Sequence, residues 1–84
     1  MASEALLMKV LLYSTLGCHL CEHARAILEP LAAASGYEVE EVEISDSEEL
    51  LDRYKVTIPV ARNPETDMEL NWPFTPDQAK ALFQ

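Results

Sequence analysis

The chain of 84 residues has two cysteines, and they stand three positions apart in Cys18-His19-Leu20-Cys21. A bridge between them closes too small a loop to staple a fold by restricting the unfolded chain. A disulfide framework in so short a protein would spread several cysteines along it. The pair is therefore reactive, metal-binding or incidental. On a helix, an offset of three places the second side chain one turn below the first. With Cys18 at the helix mouth, its thiolate can attack a disulfide, and Cys21 in the first turn can resolve the mixed disulfide that forms. The unpaired amides and dipole of a helix N-terminus favour such an anion by roughly 0.3–2 kcal/mol. Stronger stabilisation needs hydrogen bonds to the sulfur itself, from backbone amides or from the Cys21 thiol.

Neighbouring side chains act on that sulfur in opposite senses. His19 and His23 can add positive charge and Arg25 stands one turn beyond Cys21, whereas the Glu22 carboxylate disfavours a thiolate. The cysteines and histidines are also four metal-binding side chains. At about 100° per residue, however, His23 lies roughly 200° around a helix from Cys21. No second cysteine pair completes a tetrahedral site. A structural zinc within one chain is disfavoured and no metal ligands are assigned; a cluster shared between two chains stays open. The histidines read more readily as surface residues of the helix than as groups tuning the thiol.

The elements around the pair follow from hydrophobic patterning. Leu6 to Tyr13 is apolar except at Lys9, the pattern of a strand buried on both faces. After the Gly17 loop a helix begins at Cys18, with Leu20, Ala24, Ile27, Leu28 and Leu31 on one face. Pro30 is expected to kink it or end its regular part early, and Ser35-Gly36 closes it. Tyr37 to Ile44 is a second strand whose interleaved glutamates place it at a sheet edge. Ser45-Asp46-Ser47-Glu48 opens a short helix carrying Leu50, Leu51 and Tyr54. Val56 to Ala61 is a third strand interrupted by Pro59, and Asn63 to Asp67 a turn into a fourth strand, Met68 to Trp72. Thr75-Pro76-Asp77-Gln78 is a capping box opening a helix to Phe83. The order β-α-β-α-β-β-α implies a parallel crossover first and an antiparallel hairpin last, in a mixed four-stranded sheet with helices on its faces.

Composition narrows the partners. Fifteen Asp and Glu against six Lys and Arg give a net charge of -9, which disfavours nucleic acid and anionic membrane surfaces. Half-apolar composition in a chain this short describes one small folded domain over residues 1–84, with residues 1–5 a candidate disordered lead-in. A secretory segment places cations ahead of its apolar run, whereas Glu4 leads here and Lys9 interrupts. A cytoplasmic monomer with reduced thiols is expected. Eight of the fifteen acids fall between Glu38 and Asp52, and that acidity is expected to lie away from the cysteines, whose near neighbours are His19, His23 and Arg25, with Glu22 the exception.

Two stretches carry a family resemblance. Tyr13-Ser14-Thr15-Leu16-Gly17-Cys18-His19-Leu20-Cys21 resembles the active-site entry of glutaredoxins within the thioredoxin superfamily. Thr57-Ile58-Pro59-Val60 resembles that superfamily's loop in which a cis proline precedes the third strand. With the element order, the likeness runs from Lys9 to the last helix and is nearest to small glutaredoxin-like bacterial proteins. It implies a thioredoxin-like, glutaredoxin-type three-layer α/β fold. It further implies a thiol–disulfide oxidoreductase with Cys18 as nucleophile, Cys21 as resolving thiol, Pro59 cis and the Ile58 backbone paired with substrate.

Departures from the family pattern bear on its ligand. Thr15 stands where glutaredoxins usually carry a glutathione-holding lysine, the core is C-H-L-C, and Asn71 to Asp77 replaces the usual Gly-Gly-x-x-Asp loop. No tightly bound cofactor is expected, and glutathione is disfavoured by these changes and by charge. The expected partners are a protein or small-molecule disulfide and a reductant, either a protein or glutathione. Beside Cys18 and Cys21, the candidate substrate contacts are Ile58, Pro59, His19, Tyr13, Trp72 and Asp77; Trp72 and Phe74 read first as residues closing the core. Two further readings use the same residues: a non-enzymatic thioredoxin-fold binding module, and an iron–sulfur cluster carrier bridging two chains.

Overall fold

The computed structural model describes residues 8–83. Strand β1 (Met8–Ser14) lies inside the sheet. Its side chains alternate between two layers, Val10 and Leu12 to one face, Leu11 and Tyr13 to the other. Leu6 and Leu7 of the expected strand, and the lead-in at residues 1–5, lie outside the described residues. β1 pairs in parallel along its whole length with β2 (Tyr37–Glu43), from Met8 opposite Tyr37 to Ser14 opposite Glu43. On its other side β1 pairs antiparallel with β3 (Val60–Asn63), which in turn pairs antiparallel with β4 (Met68–Asn71). The order β2-β1-β3-β4 leaves the glutamate-rich β2 at an edge.

Helix α1 (His19–Ser35) and helix α3 (Pro76–Ala79) cover one face; α2 (Glu48–Tyr54) and a short 3-10 turn at Ile44–Asp46 cover the other. The first layer packs Val10, Leu12, Ala24, Leu28, Ala61, Phe74 and Leu82 together. The second packs Tyr13, Ile44, Tyr54 and Val60. Each fully buried leucine or valine contributes about 1.5–3 kcal/mol. Among the described residues, no helix is long and apolar enough to cross a membrane.

Four local expectations are corrected. Helix α1 does not end early at Pro30 but continues to Ser35. Proline removes one helical bond, and here both Pro30 and Ala26, whose carbonyl loses its partner, are exposed, so water can replace it. Leu20 is 48% exposed and leaves the buried stripe, which starts at Cys21 and continues through Ala24, Leu28 and Ala32. The third strand begins at Val60 rather than Val56. The Thr57 and Ile58 amides both donate to the Tyr54 carbonyl, at 2.9 and 3.0 Å, and so belong to the turn that ends α2, with Val56 86% exposed. The last helix keeps one α-helical turn behind its Thr75–Gln78 capping box and then tightens into a 3-10 turn at Lys80–Phe83. There the buried Asn63 amide donates to the Leu82 carbonyl at 2.5 Å, tying the chain's end to β3.

Candidate functional site

β1 ends at Ser14, and the chain reverses in a tight turn before α1. The Cys18 amide donates to the Thr15 carbonyl at 3.3 Å, and Gly17 sits at φ 80°. A positive φ at the third position is a type II turn, which glycine adopts without Cβ penalty. That turn leaves Cys18 as the N-cap of α1 in extended conformation. Its Sγ accepts a hydrogen bond from the Cys21 amide at 3.1 Å. An N-cap oxygen usually accepts this bond; here a sulfur takes it, supplying the direct contact that a stabilised thiolate needs. Cys18 and Cys21 are joined in a disulfide with Cα atoms 5.3 Å apart. Cys18 is partly exposed, whereas Cys21 is only 5% exposed.

Both cysteines open on a cleft of about 500 Å³ whose walls include Thr15, Leu16, Glu22, Arg25, Glu29 and Glu41. Arg25 bridges two elements: its guanidinium donates to Glu29 of α1 at 2.8 Å and to Glu41 of β2. These bonds, that to Glu29 foremost, push its pKa further above the ordinary value. Glu41 also accepts from the Ser14 hydroxyl at 3.2 Å. Two positions along, Glu43 accepts from the Ser45 hydroxyl and amide at 2.8 and 3.1 Å. Chiefly the Ser45 hydroxyl, and then the Thr15 side chain, hold its carboxyl below the usual value.

The charge expected around the cysteines is therefore corrected. His19 and His23 are exposed and neither lines the cleft. Three carboxylates do, and the lining cation, Arg25, is shared between two of them. The parallel pairing explains this. It sets Leu12 opposite Glu41 and Ser14 opposite Glu43, so the end of β2 arrives where the β1–α1 loop emerges. Glu29 and Glu41 are site residues that charge counting along the sequence missed; the i,i+4 spacing from Arg25 was the signal for the first and the parallel crossover for the second.

The remaining candidates are held by other contacts. Tyr13 is buried and stacks on Tyr54 with ring centroids 4.4 Å apart, a core contact rather than an exposed wall. Trp72 packs edge-on against Phe74 beside the core, at 5.2 Å. Asp77, exposed on α3, pairs with Lys80 at 3.6 Å. Pro59 is cis, as the resemblance implies, and so is Pro73. None of Ile58, Pro59, Tyr13, Trp72 or Asp77 lines the cleft. The Pro59 carbonyl accepts from the Trp72 amide at 3.1 Å. Among the described residues, no three His, Cys, Asp or Glu side chains converge as metal ligands.

Fold and site together define a class: a thioredoxin-like domain with a cysteine pair where the first strand's loop meets the first long helix. The glutaredoxin-like domain family (DUF836) matches residues 9–84, and the chain belongs to that family. The X-ray structure of target protein XcR50 from X. campestris is 35% identical, with 86% of this chain and 91% of that one covered and a TM-score of 0.72. The solution NMR structure of Ne2328 from Nitrosomonas europaea is 32% identical, with 93% of each chain covered and a TM-score of 0.77. No curated protein matches the chain.

Proposed function

We propose that this domain is a thiol–disulfide oxidoreductase. The observation that carries the reading is the hydrogen bond from the Cys21 amide to Cys18 Sγ at the mouth of α1, with Cys21 Sγ buried behind it. In the dithiol form that amide favours a Cys18 thiolate, the reactive species in exchange. Cys18 Sγ attacks one sulfur of a substrate disulfide; the new S–S bond forms as the substrate's breaks, releasing one substrate thiolate. Cys21 Sγ, deprotonated, then attacks Cys18 Sγ and releases the second. Two electrons reach the substrate, and the domain is left with the Cys18–Cys21 disulfide. An external thiol, from a protein dithiol or glutathione, restores the dithiol.

Ile58 can contribute to substrate binding through its carbonyl, because its amide is already given to Tyr54. Turnover tests the reading: a cystine peptide with dithiothreitol as reductant is reduced faster in the presence of the domain, and Cys18→Ser returns the rate to that of dithiothreitol alone. A Cys18→Ser protein as active as wild type would reject it. The redox potential sets the direction: about -270 mV marks a reductant and about -120 mV an oxidant.

A further inference from the structure

A substrate disulfide has to reach Cys18 past charged walls. Glu22, Glu29 and Glu41 line the cleft beside the cysteines, and Arg25 is engaged with both Glu29 and Glu41. Glu22, directly after Cys21, makes no ion pair among the described residues. The cleft thus carries more negative charge than its cation balances. At its rim, Leu16 is 91% exposed on the turn before Cys18 and presents apolar surface to whatever docks. An anionic thiol compound would bring carboxylates to a cleft whose lining guanidinium already serves two of them. A cationic chain would find Glu22 unpaired and two further carboxylates within the same walls. Charges of one sign in a cleft concentrate partners of the other sign and speed their encounter, about 10-fold or more at low salt.

We propose that this cleft selects disulfides set in basic polypeptide segments, with Glu22 the main specificity determinant. This rests on the oxidoreductase reading. Reduction follows the same exchange, two electrons passing from the Cys18–Cys21 dithiol to the peptide cystine.

The test uses three peptides alike in their cystine and flanked by lysine, serine or glutamate, with dithiothreitol as reductant. Each rate is divided by that of dithiothreitol alone, which removes the intrinsic reactivity that basic neighbours give a disulfide. The expected kcat/KM ranks lysine above serine above glutamate, about 10-fold from end to end at low salt, and the spread shrinks as salt screens it. Glu22→Lys narrows or inverts the lysine-to-glutamate ratio, a ratio that a general loss of activity leaves alone. Equal normalised rates for the three peptides overturn the substrate inference and leave the oxidoreductase reading standing. No catalysed reduction of any of them removes both.

Discussion

Two polar side chains inside the domain show how single residues hold the site's scaffold. Asn63 is fully buried; it donates to the Leu82 carbonyl and accepts from the Glu65 amide at 2.8 Å, joining β3, the following turn and the C-terminal 3-10 turn. Asn63→Ala strands those groups, and urea unfolding is expected to show a loss of about 1–3 kcal/mol. Tyr54, buried on the opposite face, donates to Glu69 at 2.7 Å. Burial first, and the Glu69 carboxylate second, push its pKa up from 10.0 to about 12. The folded state therefore prefers neutral Tyr54 over the phenolate that the unfolded chain forms more readily. That contribution is complete below pH 10 and is lost as pH rises towards 12. Wild type is expected to lose more stability than Tyr54→Phe across this alkaline range in denaturant titrations; parallel losses would contradict the assignment.

At the scale of elements, helix ends decide where the cysteines sit. Gly36 closes α1 at φ 75°, its amide bonded to the Ala32 carbonyl, and a Cβ there would meet open space. Gly36→Ala is thus expected to cost about 1–2 kcal/mol from backbone conformation alone, measured by urea unfolding, with the Cys18 end of the helix unchanged. Such ends were legible in the sequence, because Ser47 and Thr75 caps, glycine stops and a capping box are local chemistry. The third strand was less so: Val56 has strand propensity, but the Tyr54 carbonyl claims the two amides that follow. Pro30 leaves α1 continuous for a related reason. Its rule concerns one lost bond, while the buried stripe on both sides of it decides whether the helix continues.

Across the whole molecule, the sheet converts order along the chain into neighbourhood. The element order and the Cys18–Cys21 site could be read from periodicity and motif, since both depend on nearby residues. The electrostatics of the cleft could not be read by proximity in sequence, because Glu41 reaches it from 20 or more positions away through strand pairing. The same holds for Tyr13, whose partner Tyr54 arrives from α2. An acidic domain thus carries part of its charge into its own candidate active site. The account's central claim, that partly exposed Cys18 attacks and buried Cys21 resolves, is tested most directly by trapping. Each single-cysteine variant, Cys21→Ser and Cys18→Ser, is incubated with a cystine peptide and its mass measured. The account predicts a stable peptide adduct on Cys18 of the Cys21→Ser protein and little or none on Cys21 of the Cys18→Ser protein. Adducts of equal yield on both variants, or on Cys21 alone, would contradict it.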